Sequence, residues 1–298
     1  MKNPTLIKNV VCFGEILWDI APDGKTPGGA PMNVACHLQN FGLSASLVSR
    51  VGLDPLGKEL VKYLNGRFLG TDYLQYDKKH GTCQVKVNTD QKLDIKYEFD
   101  KPTAWDFIKV NKLNLALVQK ADAIVFGSLA SRNKTTKKTL FTLLQNAKHK
   151  IFDINLRPPF IDMGFISEAL TFADVLKIND EELDIISQWF GFTGVDEEKL
   201  YFIKNRFSIG AICLTRGEKG AWSLEGNQIY KQKGFPVKVE DTIGAGDSFL
   251  AAYIAKLLDE SSPYERLQFA CAVGAVVSTF KGANPIIQES EISDLMIK

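Results

Sequence analysis

The segment richest in chemistry is Asp241-Thr242-Ile243-Gly244-Ala245-Gly246-Asp247-Ser248-Phe249. Three small residues precede an acid, and the acid leads into an apolar stripe of Phe249, Leu250, Tyr253, Ile254, Leu257 and Leu258, the spacing of a helix with one buried face. Glycines let successive backbone N–H groups point into one concavity, and a helix N-terminus adds partial positive charge. Gly244, Ala245 and Gly246 can therefore hold an anion without any Lys or Arg. Asp247 has two readings. It is a favourable acid in a helical first turn, or it is a carboxylate at the mouth of an anion hole, where a phosphoryl group and a hydroxyl could meet.

A second polar group lies near the N-terminus, in Phe13-Gly14-Glu15-Ile16-Leu17-Trp18-Asp19 and in Pro27-Gly28-Gly29-Ala30-Pro31-Met32-Asn33-Val34-Ala35. Pro27-Gly28-Gly29 reads as a turn, Pro31 suits a first helical turn, and Val34, Leu38 and Phe41 continue a helical stripe that stops at Gly42. Asp19 and Asn33 then stand at element ends, where Asp starts turns and Asn caps helices, or where both face a ligand. Three further polar segments follow: Asp153-Ile154-Asn155-Leu156-Arg157-Pro158, Asn179-Asp180-Glu181-Glu182, and Thr215-Arg216-Gly217-Glu218-Lys219-Gly220-Ala221. Singly each has an ordinary use. Arg157 can pair on the surface, Glu182 can serve a helical first turn, and Gly217 with Gly220 can make a hairpin.

The elements that must position these residues alternate. Short apolar runs at 10–13, 46–48, 123–126, 150–154, 175–178 and 211–214 are separated by amphipathic segments such as 55–68, where Leu56, Leu60 and Leu64 recur at i, i+4 and i+8. That alternation predicts an α/β fold, a mostly parallel sheet with helices on both faces. Ligands of such sheets sit outside the strand C-termini, where the polar segments fall. One region breaks the rhythm. Cys83, Val85 and Val87 alternate with polar residues over 82–88, and Ile95, Tyr97 and Phe99 repeat the pattern, which predicts half-buried antiparallel strands joined by a turn at 89–93. Their apolar face covers either the protein's own core or a ligand site. The most helical region is the C-terminal third, with a second helix expected over 263–279.

Composition narrows the function classes. The 298 residues are 45% apolar and 24% charged, with a formal net charge of +1, so nothing marks a nucleic-acid or anionic-membrane partner. Cys12, Cys36, Cys83, Cys213 and Cys271 are scattered, with no C-x-x-C pair, and read as buried thiols of a cytoplasmic protein. His37, His80 and His149 show no metal or triad spacing. Neither the P-loop pattern nor a G-x-G-x-x-G after the first strand is present, which disfavours a P-loop kinase and a dinucleotide dehydrogenase. No run is long and apolar enough for a membrane span.

The D-T-x-G-A-G-D-x-F run resembles the C-terminal signature of the ribokinase-like (PfkB) carbohydrate kinases, and the other polar segments match that family in order along the chain. The resemblance implies one ribokinase-like kinase domain over 1–298, with a small antiparallel β lid formed mainly by about 73–100 and part of 14–30. It implies transfer of the γ-phosphoryl group of ATP to a sugar hydroxyl, with Asp247 as the base and Gly244, Ala245 and Gly246 stabilising the transferring group beside Arg157. Asp19, Gly28, Gly29 and Asn33 would hold the sugar. Asn179, Thr215, Gly217 and Gly220 would contact the nucleotide, and Glu182 would place Mg²⁺ through water. A monovalent cation such as K⁺ and a homodimer built through the lid are family expectations as well. The segment at 28–35 with Asn155-Leu156-Arg157-Pro158 looks most like fructokinase. Kinases for ribose or 2-keto-3-deoxygluconate are the alternatives, the latter because Arg157 can pair with a carboxylate. From another class comes a sugar- or nucleotide-binding regulator that keeps the fold without turnover.

Overall fold

The computed structural model describes residues 7–22, 24–88, 96–99 and 102–297, with 87, 88 and 96–99 described by their backbone alone. In chain order the strands are β1 (Asn9–Phe13), β2 (Leu17–Ala21), β3 (Gly24–Gly28), β4 (Ser44–Gly52), β5 (Leu74–Asp77), β6 (Cys83–Asn88), β7 (Lys96–Phe99), β8 (Ala123–Gly127), β9 (His149–Asp153), β10 (Val175–Asn179), β11 (Ala211–Thr215), β12 (Ala221–Glu225) and β13 (Gln228–Gln232). The helices are α1 (Ala30–Asn40), α2 (Pro55–Gly66), α3 (Lys112–Lys120), α4 (Lys134–Leu144), α5 (Met163–Leu170), α6 (Asp180–Trp189), α7 (Asp196–Phe207), α8 (Ala245–Leu258), α9 (Pro263–Val277) and α10 (Glu289–Ile297).

The main sheet has nine strands in the order β13-β12-β11-β10-β9-β8-β1-β4-β5. All neighbours from β11 to β5 run parallel, and β12 and β13 close one edge antiparallel. A strand buried on both faces must be apolar at every position, and β1 shows the consequence. Val10 and Cys12 join a core with Met32 of α1, Leu60 of α2, Leu250 of α8 and Leu267 of α9. Val11 and Phe13 join the opposite core with Val118 of α3, Leu140 of α4, Phe165 of α5, Leu183 of α6 and Leu200 of α7. The chain builds outward from β1 to β4 and β5, then returns to build β8 to β11 on the other side. The order thus reverses between β1 and β8, which is where open α/β sheets leave a ligand crevice.

The antiparallel hairpin expected from the alternating segments is present as β6 and β7, but its sheet is larger and mixed. The order is β3-β2-β6-β7, and β2 pairs with β6 in parallel. Connectivity is the reason: the chain from β2 to β6 passes through β3, α1, β4, α2 and β5, a crossover long enough to bring β6 alongside β2 in the same direction. Cys83 and Val85 are buried as the alternation requires. The expected turn at 89–93 and Ile95 lie outside the described residues, as do the side chains of Val87, Tyr97 and Phe99. All five cysteines are buried free thiols. Among the described residues, no helix is long and apolar enough to cross a membrane.

One charge sits inside the sheet itself. Lys177 of β10 is buried, and its Nζ meets Asp153 of β9 at 2.9 Å to Oδ1 and 3.1 Å to Oδ2. Removing one member of such a pair strands the other charge, whereas neutralising both does not. Lys177→Met should therefore lower the unfolding free energy in urea by about 3–5 kcal/mol. The double variant Lys177→Met/Asp153→Asn should recover a large part of that loss. Equal losses in the single and double variants would show that the pair carries no such coupling.

Candidate active site

Helix α8 starts on Gly244, whose φ of 79° lies in the left-handed region that glycine adopts without strain. A Cβ there would stand 2.6 Å from both Cα and O of Ala283, so the turn closes against residue 283 only because position 244 has no side chain. The first i→i−4 bond of the helix runs from Ser248 N to Gly244 O at 2.8 Å, and Ala245 N donates to Thr242 O at 3.2 Å. The amides of Gly246 and Asp247 lie ahead of the helix's own bonding and have no backbone acceptor among the described residues. Asp247 does not cap the helix, since no side chain does. Its Oδ2 instead accepts a hydrogen bond from Asn33 Nδ2 at 2.8 Å.

That partner comes from the start of α1. Gly29 is its N-cap with φ 112°, and a Cβ there would lie 2.5 Å from Glu15 O. Asn33 is the fourth residue of the helix rather than its cap, and it is buried. Asp19 is likewise no turn residue: it pairs with Thr26 within the β2/β3 ladder. Gly28 ends β3 opposite Leu17.

These ends enclose a pocket of about 260 Å³ at the C-terminal end of the central strands. Of the residues singled out in the sequence, Asp19, Gly29, Asn33, Arg157, Gly244, Gly246 and Asp247 line it. Leu17 of β2 and Val85 of β6 add an apolar wall from the small sheet. Asn179, Glu182, Thr215, Gly217 and Gly220 do not line it, although they follow β10 and β11 at the same end of the sheet. Asn179 and Glu182 form a reciprocal cap of α6, with Glu182 N donating to Asn179 Oδ1 at 2.8 Å and Asn179 N to Glu182 Oε2 at 3.0 Å. Glu182 Oε1 accepts from Leu156 N at 2.8 Å, so both its oxygens hold backbone. Gly217 and Gly220, with φ of 55° and 95°, shape the turn between β11 and β12.

The pocket also contains residues that motif spacing alone did not single out. Glu15 is buried with an unpartnered Oε2, and Lys177 reaches within 3.3 Å of where a Cβ on Gly246 would stand. Each had a sequence signal in retrospect, as a charge inside an otherwise apolar run. Burial pushes the Glu15 carboxyl up to about 7, with the neighbouring Asp247 and Asp153 charges adding to the effect against Arg157. Burial likewise pushes Asp19 up to about 6, against the pull of Arg157. Asp247 is raised by burial and by Asp153, while the Asn33 hydrogen bond, Lys177 and Arg157 act to hold it down.

Among the described residues, no group of three His, Cys, Asp or Glu is placed to hold a metal ion. A Mg²⁺ ion here would have to share its coordination with ligand phosphates and water, its usual habit at phosphoryl-transfer sites.

The chain is 29% identical to probable fructokinase-5 of Arabidopsis thaliana, over 96% of this chain and 95% of that protein. It is also 29% identical to a fructokinase of Solanum tuberosum, at the same coverage of both chains. Among solved structures, fructokinase from Vibrio cholerae O395 with fructose, ADP and calcium bound superposes with a TM-score of 0.85 at 26% identity, over 97% of this chain and 99% of that one. Fructokinase from Xylella fastidiosa with bound ATP shares the fold with a TM-score of 0.87 at 22% identity, over 98% and 99%. The model of the pfkB family carbohydrate kinases matches residues 8–289. With that span and a ribokinase-like architecture in place, the chain belongs to the pfkB family of carbohydrate kinases.

Proposed function

We propose that this sugar kinase transfers the γ-phosphoryl group of MgATP to a hydroxyl of fructose. The observation that carries the proposal is the meeting of Asp247 with Asn33 at 2.8 Å in a pocket that also holds Asp19 and Arg157. Asp247 accepts the proton of the attacking hydroxyl through Oδ1, since Oδ2 is held by Asn33. The amides of Gly246 and Asp247, in the turn set by Gly244 and Ala245, take up charge on the transferring group, and Arg157 and Lys177 add fixed positive charge. Asp19, Asn33 and the backbone of Gly28 and Gly29 hold sugar hydroxyls. Asn179, Thr215, Gly217 and Gly220 serve the nucleotide side. Mg²⁺, when bound, would neutralise charge on the phosphates, with Glu182 acting on it through water, and a monovalent cation such as K⁺ would complete the set.

The sheet of β2, β3, β6 and β7 acts as a lid, with Leu17 and Val85 excluding water from the acceptor so that ATP is not hydrolysed wastefully. A second copy docks through this lid in a homodimer. The enzyme works in the cytoplasm, where its buried free thiols stay reduced. Fructose as acceptor is supported by the names of the relatives and by the fructose bound to the Vibrio cholerae protein.

An ATP-consumption assay over fructose, ribose, glucose, adenosine and 2-keto-3-deoxygluconate tests the acceptor. The highest kcat/KM should fall on fructose. A clear preference for ribose or the keto-acid would replace the acceptor and leave the phosphoryl transfer standing, and binding without turnover on any sugar would favour a regulator that keeps the fold.

A further inference from the structure

Behind the Asn33–Asp247 contact stands a second amide. Asn284 Nδ2 donates to Asn33 Oδ1 at 2.7 Å, and Asn33 Nδ2 in turn donates to Asp247 Oδ2 at 2.8 Å. The short segment 282–284 grips the site at three more points. Gly282 N donates to Asp241 Oδ2 at 3.0 Å, Ala283 packs over Gly244, and Ala283 O lies 2.9 Å from His37 Nε2, one helical turn beyond Asn33. The segment therefore fastens α1 to the turn that opens α8.

A primary amide is nearly symmetric in shape, so packing alone does not decide which end of Asn33 faces Asp247. Turned over, Asn33 would set its carbonyl oxygen against a carboxylate, acceptor against acceptor. Asn284 opposes that choice by presenting Nδ2, with its own buried Oδ1 left unpartnered, so that the observed orientation satisfies the Asn33 amide at both ends. We propose that Asn284 is a positioning residue: it fixes the Asn33 amide so that Nδ2 holds Asp247 Oδ2, leaving Oδ1 free to take the proton of the sugar hydroxyl. This rests on Asp247 being the base. The other charged groups that face Asp247 are Glu15 after β1, Asp153 on β9, Arg157 after β9 and Lys177 on β10. Glu15 and Asp153 oppose its ionisation and the two cations favour it. The Asn33 bond is a hydrogen bond to the charged form, so its loss must raise the pH at which Asp247 ionises.

The test is the pH dependence of kcat/KM for Asn284→Leu, which has no donor, and for the near-isosteric Asn284→Asp, whose acceptor draws Asn33 Nδ2 away. Both should move the acid limb to higher pH by about one unit, the size of one hydrogen bond to a charged group, with kcat on the acid side reduced roughly tenfold and KM for ATP unchanged. The shift should persist in a Glu15→Gln background, which separates it from titration of Glu15. Adding Asn284→Leu to Asn33→Ala should cost nothing further. If either Asn284 variant folds with its acid limb unmoved, or if the two changes add, Asn284 is only a packing residue and the proposal fails. An unsubstituted enzyme with no acid limb at all would sink the assignment of Asp247 as base, and this proposal with it.

Discussion

One hydrogen bond, from Asn33 to Asp247 across 214 residues of chain, is the constraint on which the rest of this site depends. It joins the first turn of α1 to the first turn of α8, and both present their N-termini to one pocket. Two helix N-termini converging on a cavity favour a ligand that carries negative charge and many acceptors. The approach is possible because positions 29 and 244 lack side chains, and it is held because α1 and α8 share one core through Met32, Leu38, Leu250 and Ala251. A stiff, close-packed core converts a contact at one end of two helices into a fixed geometry at the site.

Charge is the second constraint. Glu15, Asp19, Asp153 and Asp247 cluster around Arg157 and Lys177 in a partly dry space, an arrangement that would repel itself apart without the cations. The Lys177–Asp153 pair is built into adjacent strands, which keeps a positive charge beneath the helix α8 N-terminus without leaving it free to swing. Burial and Asp153 raise Asp247 above an ordinary aspartate, while the Asn33 hydrogen bond, Lys177 and Arg157 pull it back down. The competition between these effects, rather than any single one, sets how readily this carboxylate ionises.

Much of this was legible in the sequence, for identifiable reasons. Apolar runs such as 10–13 alternate between two cores once folded, so the doubly covered sheet could be read from their composition. The turn at 244–246 could be read because only small residues fit a tight helix start. Three things could not be read. The parallel join of β2 to β6 depends on a crossover whose direction no local pattern encodes. Glu182 has the spacing of a cap and of a functional acid alike, and only the fold shows both its oxygens holding backbone N–H groups. Asn284 stands in an unremarkable loop, and its neighbours Asn33 and Gly244 become visible only when the chain ends meet.

The most direct measurement of the central claim is kcat of Asp247→Asn on the best sugar, taken together with its melting temperature. Asn matches the size of Asp and can still accept from Asn33, but it cannot take a proton from a hydroxyl. On this mechanism kcat should fall roughly 10²–10⁴-fold, about 3–5 kcal/mol in the barrier, with melting temperature and ATP affinity nearly unchanged. A folded Asp247→Asn protein with near-normal kcat would contradict it, and would reduce Asp247 to an acid in a helix's first turn.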